Sequence, residues 1–172
     1  MSPYAYCLGN PMKFIDPTGM LEELYITGSE SAAATKKLQK STSLTLSKDD
    51  KTGKISSTGE AKTEGDKKLS ETINSTSIKV EVTATDKTNT SQGNLFIGGA
   101  FMGNTVKKTT NGNTVDASQT INPEVLGTMS NAHGVPGQDA LHEITEAYQG
   151  ALISQKSGVS SLYRPSILII CS

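Results

Sequence analysis

The stretch SIKVEVTAT, residues 77–85, alternates Ile78, Val80, Val82 and Ala84 with polar residues. A period of two sends those four side chains to one face of an extended strand and leaves the other face polar, so the strand must be covered on one side only. This pattern constrains the fold strongly because apolar side chains are scarce. Hydrophobic residues make up 34% of the chain, with no Trp and three Phe. Ser and Thr supply about a quarter of the residues, well above average usage. The core is therefore expected to be small and built largely from β-branched and Ala side chains. A length of 172 residues fits one domain with its own core better than two.

Other segments take their places around that strand. GSESAAATKKLQKST has a cap candidate at Ser29 and good helix formers through Lys40. STSLTLSKDDKTGKISSTGEA reads as two short strands about the turn Asp49–Gly53. EGDKKLSETINS places Leu69 and Ile73 four apart on a polar helix. GNLFIGGAFMG is a β-type run broken by Gly98 and Gly99, which implies a bulge or the close approach of another group. Asn111-Gly112 is the strongest hairpin signal in the chain. Loop residues are expected through Gly137, followed by a last helix over about 138–156. The order implies an α+β fold, a small antiparallel sheet packed against two or three helices.

Charge narrows the function. The formal net charge is −1, and of the sixteen basic residues only Arg164 is Arg. Arg suits bidentate phosphate and guanine contacts best, so its scarcity argues against a nucleic-acid-reading surface. The lysine pairs at 36–37, 67–68 and 107–108 read as solvated charges. Cys7 and Cys171 form neither a disulfide framework nor a zinc-finger spacing. No apolar stretch reaches the roughly 18 residues of a membrane span, and no signal peptide is expected at the start.

ALHEITEAYQGA, residues 140–151, carries the most chemistry. On a helix, His142 and Glu146 leave the same face one turn apart, a spacing that suits two ligands of one zinc ion. Glu143, about 100° further round, is placed to act as general base on a water molecule. Zinc-assisted hydrolysis of a peptide or amide is the chemistry implied. Leu141, Ile144, Tyr148 and Leu152 form a core-facing stripe beside the polar one. The strand near Phe96–Phe101 offers an edge on which an extended substrate can pair. A hydrolytic zinc site normally has three protein ligands, and the only other histidine is His133, in the loop NAHGVPGQD. Asp139 is expected to cap the helix or to orient the His142 imidazole. The plainer reading of the same triplet is a solvated polar stripe.

Two resemblances bear on this. SPYAYCLGNPMKFIDPTG, with Tyr4, Tyr6, Asn10, Pro11, Asp16, Pro17 and Gly19 in register, resembles the end of the RHS (rearrangement hotspot, YD-repeat) core of bacterial polymorphic toxins. The resemblance implies that residues 1–20 are the tail of a large β-cage, that Met1 is internal to a longer secreted or cell-surface protein, and that a family cleavage would follow Met20. It makes 21–172 the variable effector module, with the RHS cage and an immunity protein as partners. Leu141–Gly150 is similar to metallopeptidase-type toxin domains with the form L-H-E-x-x-E-A-Y-x-G, which implies a zincin-like last helix with His142 and Glu146 as zinc ligands and Glu143 as base. That resemblance also implies a third histidine downstream, and none follows here. The abrupt change of style in SLYRPSILIICS admits two readings, a final buried strand or, slightly favoured, a frameshifted end that would truncate the module after about residue 160 and leave the site incomplete. The alternative function is a non-catalytic surface or interaction module of an RHS protein, favoured by the Ser/Thr-rich, strand-forming composition.

Overall fold

The computed structural model describes residues 23–162. The RHS-like segment, both cysteines, Arg164 and most of SLYRPSILIICS lie outside the described residues. In chain order the elements are β1 (Leu24–Thr27), α1 (Ser31–Lys40), β2 (Thr45–Lys48), β3 (Ile55–Thr58), α2 (Glu64–Ile73), β4 (Ile78–Ala84), β5 (Gly99–Thr109), β6 (Gly112–Ile121), α3 (Pro123–Ala132) and α4 (Gln138–Ser157). The fold is α+β.

The expected SIKVEVTAT strand is β4, and its four apolar residues are buried to within 1%. It lies inside a four-stranded sheet of order β1-β4-β6-β5. The sheet is mixed and not antiparallel as expected: β1 and β6 run parallel to β4, and only β5 runs antiparallel to its neighbour. Parallel neighbours need a long crossover, and the α1–α2 region between β1 and β4 supplies one. β1 itself is not among the expected elements, since four residues, LYIT, are too few to show a period. The Asn111-Gly112 turn does join β5 to β6. The Asp49–Gly53 turn joins β2 to β3, which form a separate small sheet.

One face of the main sheet is covered. Leu24 and Ile26 of β1, the odd-register residues Val115, Ala117 and Ile121 of β6, and the buried side of β4 meet Ala34 and Leu38 of α1 and Ile144, Ala147 and Ala151 of α4 in one core. Small residues let α4 lie close over β6. The other face carries ion pairs, Lys79 with Glu81 and Lys107 with Asp116, and suits water.

Two connections fix where α4 sits. α3 occupies a segment expected to be loop. Asn122 caps it by accepting hydrogen bonds from the backbone N–H groups of Glu124 (3.1 Å) and Val125 (3.2 Å), with Pro123 in the first turn. Buried Ser130 then donates its hydroxyl to Asp139 Oδ2 (2.8 Å) and accepts from the Asp139 N–H (3.1 Å), tying the end of α3 to the first turn of α4. At the far end Gly158, in the left-handed region at φ 68°, stops α4 and turns the chain back along the sheet.

Candidate active site

Helix α4 spans residues 138–157, so the H-E-x-x-E stretch is helical as the sequence reading requires. Leu141, Ile144 and Tyr148 face the core, with Leu152 packed against it at the margin. His142 and Glu146 stand on the opposite side, their side chains 70% and 67% exposed, with Nε2 and Oε2 3.5 Å apart.

That separation can be tested against a metal. Two ligand atoms bound to zinc at about 2.1 Å, at a tetrahedral angle, lie about 3.4 Å from each other. The imidazole nitrogen and the carboxylate oxygen are thus already spaced as adjacent corners of a zinc tetrahedron, and both are atom types that zinc accepts. They make two ligands of a set that needs three. Among the described residues, no three His, Cys, Asp or Glu side chains are grouped as a metal-holding set. His133 does not join the pair; it follows the last turn of α3 as its C-cap and is exposed. Asp139 is engaged by Ser130, so it braces α4 against α3.

Glu143 differs from both of its exposed neighbours. It is half-buried and turns inward toward the sheet. Gln119, 3% exposed, donates from Nε2 to Glu143 Oε2 at 2.6 Å. Gly99 at the start of β5 lies directly beneath, where any Cβ would overlap the carboxylate. The close approach expected at the glycine pair is therefore the approach of Glu143. The β5 bulge comes slightly later, between Phe101 and Gly103. Burial pushes the Glu143 carboxyl above the ordinary glutamate range; the charges of Glu146 and Asp139 add to the shift, and His142 opposes it. A carboxylate raised in this way is a better proton acceptor at neutral pH than an exposed one.

Gln119 was not singled out from the sequence. Its signal was present: in TVDASQTI it shares the inward register of Val115, Ala117 and Ile121. A polar side chain at a core position needs a partner, and Glu143 is that partner.

The chain matches no protein-family model, no curated protein and no solved structure. Its function has to be argued from this geometry. Among the described residues, no helix is long and apolar enough to cross a membrane.

Proposed function

We infer that residues 21–172 form a zinc-dependent peptide or amide hydrolase module, the effector region of an RHS-type polymorphic toxin that is secreted or surface-borne. The upstream cage and an immunity protein are its partners, and a polypeptide is its substrate. The observation that carries the hydrolase reading is the split character of one helical turn. His142 and Glu146 are exposed and spaced for a shared cation, while Glu143 beside them is drawn into a polar niche made by Gln119 and Gly99. A merely solvated stripe has no need of a buried glutamine and a missing Cβ under one of its members. The toxin context rests on the two sequence resemblances.

His142 and Glu146 would hold the zinc. Once bound, zinc lowers the pKa of a coordinated water to about 7 and polarises a carbonyl. Glu143 is the proton acceptor, its carboxylate held by Gln119 so that the remaining oxygen is available. β5 is an edge strand of the main sheet; Gly99 is bridged to Ile97, and an extended polypeptide pairing with the strand beyond that bridge would lie close to Glu143.

Zinc content per chain, measured by elemental analysis after dialysis, tests the reading. Stoichiometric zinc in the wild type that is lost in His142→Ala and in Glu146→Ala supports it. Absence of zinc from wild type and variants alike removes it and leaves the non-catalytic interaction module.

A further inference from the structure

Between β4 and β5 the chain makes an excursion, residues 85–98, that is pinned at its stem. Buried Asn122 donates from Nδ2 to the carbonyls of Asp86 and Lys87, each at 3.1 Å, and from its backbone N–H to Gly98 O at 2.7 Å, so one residue holds both ends. Within the loop the Phe96 N–H donates to Thr88 O and the Thr90 N–H to Asn94 O, both at 2.8 Å. The loop is thus a fixed platform, and little ordering is left to be done when something binds to it.

What the platform displays is apolar. Phe96 is turned into the protein at 7% exposure, while Leu95 and Ile97 on either side of it are 76% and 75% exposed. A single exposed aliphatic side chain is ordinary, but two at a spacing of two share one side of the chain and form a patch. Met129 of α3, also exposed, borders it, since a Cβ at Gly98 would lie 3.5 Å from the Met129 Sδ. No charged residue occurs between Thr88 and Val106.

The patch adjoins the candidate base. The Gly99 N–H donates to Ile97 O at 2.9 Å, closing a three-residue turn about Gly98 at φ 77°. Ile97 therefore lies two positions, about 7 Å at most, from the glycine against which the Glu143 carboxylate is packed. An extended polypeptide advances about 3.3 Å per residue, so a residue within about two of the bond served by Glu143 comes within reach of Ile97. The uncharged loop gives a charged side chain nothing to pair with. A large apolar one covering Leu95 and Ile97 takes apolar surface out of water on both partners.

We propose that Leu95, Ile97 and Met129 form the specificity face of the site, receiving a large aliphatic or aromatic side chain of the polypeptide within a residue or two of the bond that is cut. The proposal rests on the hydrolase reading above and names the substrate class of that same site: polypeptide segments rich in large apolar residues, of the kind that an unfolded chain exposes.

The experiment uses the full chain with zinc added and dye-labelled decapeptides of Gly, Ser and Ala that carry one central Leu, Ser or Asp. Binding is read by fluorescence anisotropy in the Glu143→Gln background, so that no peptide is consumed. The Leu peptide is expected to bind about tenfold more tightly than the Ser or Asp peptide. Adding Leu95→Ser/Ile97→Ser, two changes at exposed positions, should bring the ratio below about twofold. Ile153→Ser, an equally exposed aliphatic ten residues beyond Glu143 on α4, should leave it unchanged and so controls for general stickiness. Equal binding of all three peptides, including no binding of any, or loss of the preference in Ile153→Ser as well, overturns the specificity face. Cleavage of casein by the zinc-loaded wild type, absent in Glu143→Gln, reads the hydrolase separately. Casein cut without any preference among the peptides sinks the face alone, whereas casein left intact by the wild type sinks the hydrolase reading and the specificity role with it.

Discussion

Asp66 and Glu143 are both acidic side chains withdrawn from water, and they are held in opposite ways. Asp66, fully buried, accepts hydrogen bonds from Thr42 Oγ1, Ser43 N–H, Ser43 Oγ, Lys62 N–H and Thr63 N–H. Burial alone would raise its pKa, but the hydrogen bonds, led by those from the Thr42 and Ser43 side chains, outweigh it and hold the carboxyl far below the usual range. Among the described residues Glu143 has one such donor, Gln119, and two acidic neighbours in Glu146 and Asp139, and its pKa is raised. A carboxylate with all its acceptor capacity used is a structural clamp, because nothing remains to take a proton. One that is desolvated and under-satisfied is kept reactive at some cost to stability. The contrast separates the scaffold from the candidate site without reference to any ligand.

The comparison is broken most directly at Asp66. It pins the α1–β2 connection and the residues leaving β3 to the first turn of α2, where with Thr63 it forms a capping box. Asp66→Ala strands several donors, some of them backbone, and is expected to cost about 3 kcal/mol in chemical denaturation. A loss under about 1 kcal/mol would mean that water replaces the carboxylate easily and that the clamp is not one. The pH dependence has a definite sign. Because the folded pKa is depressed, the Asp66 contribution is fully present above the unfolded value near 4 and fades as pH falls below it. Asp66→Asn should therefore flatten the acid limb of the stability curve.

A smaller effect is expected at Gly99. Its Cβ position is taken by the Glu143 carboxylate, so Gly99→Ala must expel that side chain or shift the start of β5, at about 1–2 kcal/mol. Shortening the other partner should relieve the clash: in Gly99→Ala/Glu143→Ala the cost of the alanine at 99 should largely vanish, giving a coupling of about 1 kcal/mol in a double-mutant cycle. Additive costs would show that Gly99 serves the backbone of β5 and owes nothing to Glu143. Zinc binding by the single variant sharpens the point further, since His142 and Glu146 stand on the exposed side and should retain it.

Elements with a strong period or a paired turn signal were legible in the residues. β4 followed from Ile78, Val80, Val82 and Ala84, the β5–β6 hairpin from Asn111-Gly112, and α4 from its apolar stripe. The parallel pairing of β1 with β4 was not legible, because it depends on which distant strand lies alongside and not on local pattern. α3 went unread although Asn122-Pro123 is a sound helix start; its one large fully buried side chain, Leu126, leaves almost no periodicity. At the site, the residues of one helix turn declared themselves by spacing. Gln119 and Gly99 did not, since each acquires meaning only when the sheet is laid under α4. The return of residues 159–162 along β5 was hidden for the same reason: Ser160 and Ser161 make their bonds across more than fifty residues of sequence.

The finest test of the contrast is the isosteric change Glu143→Gln in the metal-free chain. The amide keeps an oxygen that can accept from Gln119 Nε2, so packing over Gly99 is preserved and only the charge is removed. A group whose folded pKa is raised costs nothing while protonated in both states, below about pH 4, and its penalty enters as pH rises through the folded value. Wild type and Glu143→Gln should then be equally stable near pH 4, and the variant should be the more stable at pH 7, by no more than about 1 kcal/mol. Asp66→Asn must show the opposite sign in a lower window, its deficit shrinking as pH falls below about 4 and level above it. If Glu143→Gln is instead less stable at pH 7, the carboxylate is a satisfied structural partner of Gln119, and the two acids are alike in kind. Their opposite signs, recorded on one scaffold, would mark Asp66 as the stabilising clamp and Glu143 as the acid held at a cost to stability.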